Sequence, residues 1–309
     1  MALGPDENRR QIAYSNTLRL ALQQETTRIW QFCTPVTVDA VQGLSFDEMA
    51  AFGPPAQIPQ GSQGYEPITV RELNFTRRWL SSVFWDDWRH FHTFDQSMVL
   101  EDPTSAIIRY FKASFNRKKD EVAINAMFGS VKRGKVLPGD DADVTFPSGQ
   151  QVAVNVVSPG ATPANVGLNR AKLNKAFSLF VKNEAVFGDG PEDMLHCAIS
   201  AKQLEDLLND DKVTDKQFLL GQFQQTGRLS YLKFDFHDYQ NLPVDGSGYR
   251  RCPVWATDGV RVGITSELET RFTRMDETRL QPWQAYSKAG VGAARADEKL
   301  VVEIKCAES

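Results

Sequence analysis

The chain has 309 residues, 41% of them hydrophobic and 24% charged, with a formal net charge of −4. That length buries a sizeable core in one large domain or two ordinary ones. The acidic balance argues against a protein that grips nucleic acid by neutralising phosphates, because such domains are strongly basic.

Four cysteines, Cys33, Cys197, Cys252 and Cys306, form no CxxC pair and match no zinc spacing. They read as reduced, mostly buried thiols of a cytosolic product. No apolar run approaches the ~20 residues of a membrane span. The start MALGPDENRRQ lacks the layout of a signal peptide. No membrane is expected, and assembly in the cytoplasm is.

In chain order, residues 7–31 read as a helix whose apolar stripe, Tyr14, Leu18, Leu22 and Ile29, is thin. Such a helix either leans on something outside its own segment or lies on the surface. Residues 43–68 carry Gly43, Gly53, Gly61 and Gly64 with Pro54, Pro55, Pro59 and Pro67. That density breaks helix and strand alike. About 25 structureless residues are unusual inside a compact domain, so the segment is a linker or a projecting loop.

The stretch WDDWRHFHTFD, 85–95, gathers Asp86, Asp87, Asp95, His90 and His92 among aromatic residues. On a strand His90 and His92 point to one side, which suits a metal. A metal site needs a third ligand, however. The other histidines, His196 and His237, lie in no recognisable motif, and the adjacent acids diverge. The favoured reading is a partly buried amphipathic segment. A metal-dependent hydrolase using His90, His92 and Asp95 is the competing one.

Residues 101–129 predict a long helix. Asp102 is an N-cap, Pro103 suits the first helical position and Gly129 the stop. Ile108, Phe111, Phe115, Val122 and Ala126 form its stripe. Roughly 26 residues at 1.5 Å rise make a rod of ~39 Å. Its NRKKDE run, 116–121, reads as a solvated face. Residues 143–157 alternate around a Pro-Ser-Gly turn and predict strands. A helix follows over 168–188, on Leu173, Ala176, Phe177, Phe180 and Val181.

Residues 195–200 predict a buried strand. Ser200 and Gln203 open a helix over 200–210 with a capping box. GDGPED, 188–193, reads as the turn before them. Leu232, Phe234 and Phe236 alternate with Lys233, Asp235 and His237. Asp258-Gly259 signals a two-residue hairpin. Leu300, Val302, Ile304 and Cys306 share one face of a last strand. Helices and strands mix without strict βαβ order, so the class is α+β. Phosphate-loop, dinucleotide and nucleophile-elbow motifs are missing. The sequence offers no cofactor site and no enzyme chemistry beyond the histidine pair.

The order of RRW…WDDW (77–88), EDPTSAIIRYFKASFNRKKDEVAINAMFG (101–129), LNRAKLNKAFSLF (168–180), ISAKQLEDLLNDDKVTDKQF…GR (199–228), FDFHDYQNLP (234–243) and GAARADEKLVVEIKC (292–306) resembles the major capsid proteins of tailed bacteriophages, with their Hong Kong 97-type fold. The resemblance implies an N-terminal arm over 1–42, an extended loop over 43–75 and a peripheral domain over 76–158 with a spine helix at 102–128. It further implies a mainly axial domain over 159–250 and a return to the peripheral domain over 251–309, with strands near 254–272 and 299–306 completing the peripheral sheet. It places inter-subunit contacts at Leu18, Leu22, Phe52, Pro54, Ile58, Tyr65, Arg77 and Arg78.

Function would be self-assembly as hexamers and pentamers into an icosahedral head around double-stranded DNA, in the virion. A portal protein, and scaffolding or decoration proteins, would be the partners. An encapsulin-like compartment shares the fold and is the alternative. The prototype's covalent cross-links have no matching motif here.

Overall fold

The computed structural model describes residues 24–36, 45–49, 75–91, 104–134, 142–158, 160, 162–185, 194–209, 230–231, 233–275 and 283–308. Two sheets and one long helix, α1 (Thr104–Phe128), organise them. In the four-stranded sheet the order is β1 (Thr34–Pro35), β11 (Val260–Arg274), β12 (Trp283–Arg295), β4 (Ser81–Phe91). The six-stranded sheet runs β6 (Gln151–Val152), β13 (Val301–Cys306), β10 (Arg250–Ala256), β7 (Leu195–Ile199), β9 (Phe234–Asp238), β8 (Ser230–Tyr231). A small third sheet joins β2 (Ser45–Met49), β3 (Phe75–Trp79) and β5 (Lys132–Arg133). Helices α2 (Arg170–Lys182) and α3 (Ala201–Leu208) complete the set.

The α+β class and the long helix stand as the sequence predicts. The stripe of α1 does not hold one line. Phe111 and Phe115 are buried, but Ile108 is exposed and the C-terminal half buries Ala123, Ile124 and Met127. The two halves meet different partners. Phe115 packs with Ala289 and Val291 of β12, while the later residues enter the main core. Small residues on β12 let the helix approach the sheet closely.

That main core lies on the six-stranded sheet. Leu173, Ala176 and Phe180 of α2 and Leu207 of α3 pack there with Val254, Val302 and Ile304. Both helices begin as their sequences require. Asn169 caps α2 by accepting from the Lys172 amide, and Ser200 with Gln203 form the capping box of α3. Strand β13 is buried on both faces, so Glu303 is fully enclosed and pairs with Arg251 of β10 at 2.6 and 3.0 Å. Buried Lys172 donates to the carbonyls of Val166, Gly167 and Lys305, which supplies the partners its charge needs.

Several expectations are corrected. Of the helix predicted over 7–31, residues 24–29 are not helical and only Trp30–Phe32 make a 3-10 turn; residues 7–23 lie outside the described part. The cause is tertiary: the amides of residues 28–30 bond to a side chain instead of to helix carbonyls. Of the strands predicted over 143–157, only β6 and an isolated bridge at Val144 form.

Asp258-Gly259 makes no two-residue hairpin. It sits in a 3-10 turn carrying the chain from β10 in one sheet to β11 in another. An added Cβ on Gly259 would lie 2.8 Å from the Leu300 carbonyl oxygen, so close packing explains this glycine. Nor do residues 299–306 complete the sheet of 260–272. β13 pairs with β10 and β6 instead, and the sheet it joins buries it on both faces, Glu303 included.

Candidate functional site

Residues 24–33 form a strap laid on α1. Asp120, wholly buried, takes the amides of Arg28 (2.8 Å), Ile29 (3.0 Å) and Trp30 (3.0 Å) on its two carboxylate oxygens. The Asn116 amide donates to the Glu25 carbonyl at 2.7 Å. The helix therefore holds the strap mostly by its backbone, and the Gln24 side-chain amide adds one more bond to Asp120. Ile29 plugs the core at 0% exposure.

Strand β4 presents the second feature. It pairs with β12 on one side, and no described strand covers its other edge. Alternation divides its side chains. Trp85 turns inward, edge-on to Phe115 at 6.2 Å. Phe84 (64% exposed) and Trp88 (52%) stand on the opposite face, where Trp88 lies 4.3 Å from the Tyr286 ring. Phe84 lies over Gly290, its register partner, where any Cβ would strike the ring at 2.6 Å. Among the described residues this eleven-residue edge has no strand beside it, and such an edge with two exposed aromatics on its outer face is a ready template for pairing with another chain. Between α1 and this sheet runs a groove of about 190 Å³, lined by Trp85, Asp87, Phe115 and Lys118.

A third cluster ties the small sheet to the rest. Arg78, 5% exposed, donates to both carboxylate oxygens of Glu298 at 2.6 and 3.1 Å. Arg295, fully buried, donates to the carbonyls of Met127, Gly129 and Val144. Burial alone would raise the Glu298 carboxyl, but hydrogen bonds and charge from Arg78, with Arg295 behind them, hold it below the usual range.

Among the described residues, then, an extended strap lies on α1 and one long edge strand has no strand beside it. The family described as phage capsid protein is matched over residues 7–308. The chain belongs to that family. No curated protein matches the sequence significantly. Among solved structures, the capsid of Ralstonia phage GP4 is 14% identical with a TM-score of 0.66, covering 95% of each chain. The head structure of Helicobacter pylori bacteriophage KHP40 is 8% identical, at 0.63, covering 96% of this chain and 97% of that one. The capsid of cyanophage P-SCSP1u is 12% identical, at 0.62, covering 96% and 92%. At such identities the likeness concerns the fold, which is the Hong Kong 97-type fold that the sequence resemblance implied.

The capsid protein is thus a structural component of a phage virion. Arg77 pairs with Asp47 across β3 and β2 at 2.7 Å. Arg78 is engaged within its own chain, as described. Leu18, Leu22, Phe52, Pro54, Ile58 and Tyr65 lie outside the described residues. So do His92 and Asp95, while His90 is exposed on β4 opposite Gln284.

The capsid protein does bring together two histidines that sequence spacing left apart. His196 Nδ1 lies 3.0 Å from His237 Nε2, with Asp235 beside them. Reading from the sequence missed this group and missed Asp120. The one local hint was the Asp-x-His pattern at 235–237, whose alternation puts both residues on one strand face. All four cysteines are free and buried, and burial pushes the Cys33 and Cys197 thiols far up, so neither is a reactive thiolate.

Proposed function

We propose that this capsid protein is the shell-forming subunit of the head, self-assembling as hexamers and pentamers into an icosahedral particle around double-stranded DNA. The family match along nearly the whole chain carries the reading. The open β4 edge and its aromatics supply a surface on which a neighbouring copy adds buried area. Many moderate contacts summed around closed rings suffice for a stable shell.

In this reading residues 1–42 are an arm and 43–75 an extended loop, reaching adjacent subunits through Leu18, Leu22, Phe52, Pro54, Ile58 and Tyr65, with Arg77 and Arg78 contributing just beyond the loop. The peripheral part is built on α1 with the four-stranded sheet. The axial part uses β7, β9 and the helices beside them. The −4 net charge suits a shell that encloses DNA without gripping it. A portal protein at one vertex, scaffolding or decoration proteins, and assembly in the host cytoplasm belong to the same proposal.

The test is expression of the full chain, alone and with candidate scaffolding proteins from the same phage, followed by sedimentation and negative-stain microscopy. Closed megadalton shells are the expected product, and particles from infected cells contain DNA, not a cargo enzyme. Only small soluble oligomers under every assembly condition would defeat the proposal.

A further inference from the structure

We propose that His196, Asp235 and His237 form a binding site for one divalent first-row transition ion, zinc above all. Strand register creates the group. His196 on β7 is the partner of Asp235 on β9, and His237 stands two residues beyond Asp235, on the same face. The opposite face carries Cys197, Phe234 and Phe236, which enter the main core. The Cys197 thiol therefore stands on the other side of the sheet from the imidazoles.

The donor atoms have the spacing of a coordination shell. His196 Nδ1 and His237 Nε2 are 3.0 Å apart, His237 Nε2 and Asp235 Oδ2 are 3.8 Å apart, and the three ligand atoms lie within 4.8 Å of one another. Zinc bonds of about 2.0–2.1 Å at tetrahedral angles need donors roughly 3.3 Å apart. The measured separations bracket that value. Two imidazoles and one carboxylate suit zinc and its first-row neighbours better than calcium or magnesium, which take oxygen ligands. Three protein donors leave the fourth position to water.

The surroundings orient the ligands. His196 Nε2 lies 3.1 Å from the Thr257 hydroxyl. A proton on Nε2 donated to Thr257 leaves Nδ1 bare and aimed at the site, the outer-shell arrangement typical of ligating histidines. The Phe32 ring stacks on His237 at 3.9 Å and 19°, and Trp255 lies 5.6 Å from His196 and 6.0 Å from His237. Both histidines are 7% exposed. Phe32 belongs to the strap that Asp120 anchors, so the ion would clamp β7 to β9 beneath that strap. Without the ion, one imidazole donates a proton to the other. With His196 protonated on Nε2, the shared proton sits on His237 Nε2; on binding it is lost from there while His237 takes up a proton on its Nδ1, so both imidazoles ligate as neutral rings.

The test uses the full-length chain, stripped with a chelator and titrated with Zn²⁺ and Co²⁺. The expected result is one ion per chain, a raised thermal midpoint, and cobalt d–d absorption without the intense thiolate-to-cobalt band. His237→Gln and Asp235→Asn each weaken binding about 100-fold, Thr257→Val about tenfold, and His90→Gln leaves it unchanged. Absence of saturable binding, a thiolate band, or equal affinity in His237→Gln overturns the proposal. Should His237→Gln fail to fold, the wild-type cobalt spectrum and stoichiometry decide alone.

Discussion

Asp120, enclosed in the middle of α1, accepts the backbone N–H of Ile29 at 3.0 Å, and the same carboxylate holds the amides on either side. A carboxylate taking three main-chain donors stands where residues 28–30 of the predicted 7–31 helix would bond to helix carbonyls. It fixes the strap mainly through the backbone, with the Gln24 side-chain amide as one further donor. Asp120→Ala leaves these amides without their acceptor, one of them in a fully buried bond. At about 1–3 kcal/mol for each buried orphan, the subunit should lose about 2–4 kcal/mol. Urea unfolding of the unassembled subunit measures this. A loss below 0.5 kcal/mol, on the order of an ordinary surface change, would show that the strap is held elsewhere.

Glu298 makes stability depend on pH in a definite direction. Its folded pKa lies below the ordinary value of 4.5, because Arg78 and Arg295 outweigh the burial that would raise it. The stabilisation is therefore complete above the unfolded pKa and disappears as pH falls through the lower, folded one. Glu298→Gln should remove that part of the acid dependence and cost about 3 kcal/mol near neutral pH, the low end for breaking a buried ion pair. Unfolding midpoints from pH 7 down to 3 give the comparison. Parallel curves for wild type and variant contradict the assignment.

Gly259 marks the turn between the two sheets, and its Cα sits against the Leu300 backbone. A methyl group there meets a carbonyl oxygen at 2.8 Å, and backbone moves far less readily than a side-chain tip. Gly259→Ala is expected to destabilise by about 1–3 kcal/mol. Gly290→Ala meets only the ring of half-exposed Phe84 and should cost less. The ratio of the two losses in thermal unfolding is the readout; equal losses would mean that the Leu300 segment yields.

The elements legible in the sequence are those whose signal is local. Helix α1 announces itself by an uninterrupted run, α2 by its stripe, and α3 by the Ser200–Gln203 box. What stayed hidden depends on contacts between distant segments. Asp120 sits in a run of charges that reads as solvated, and only the fold reveals that residues 24–33 lie on it. Asp258-Gly259 carries a hairpin signal, but β10 and β11 belong to different sheets, and a dipeptide says nothing about which strands flank it. The His196 group depends on the parallel register of β7 and β9, which no local pattern specifies. The order of several motifs along the chain, by contrast, pointed to the family directly.

The outer face of β4 separates folding from assembly. Phe84 and Trp88 are largely exposed, Trp88 against Tyr286 on the same face and Phe84 over Gly290, so replacing both by threonine removes little core packing. Threonine keeps strand propensity. Phe84→Thr with Trp88→Thr should change subunit stability by less than about 1 kcal/mol, in the range of surface substitutions. If a neighbouring copy covers this face, the same change removes well over 100 Å² of apolar contact per subunit, given the size of aromatic side chains. It should then reduce shell yield at least tenfold, because the loss repeats at every equivalent interface. Unfolding of the unassembled subunit and sedimentation of assembly reactions give the two numbers. Wild-type shell yield from the double variant would remove this face from the assembly surface, and a large loss of subunit stability would mean that it serves the fold instead.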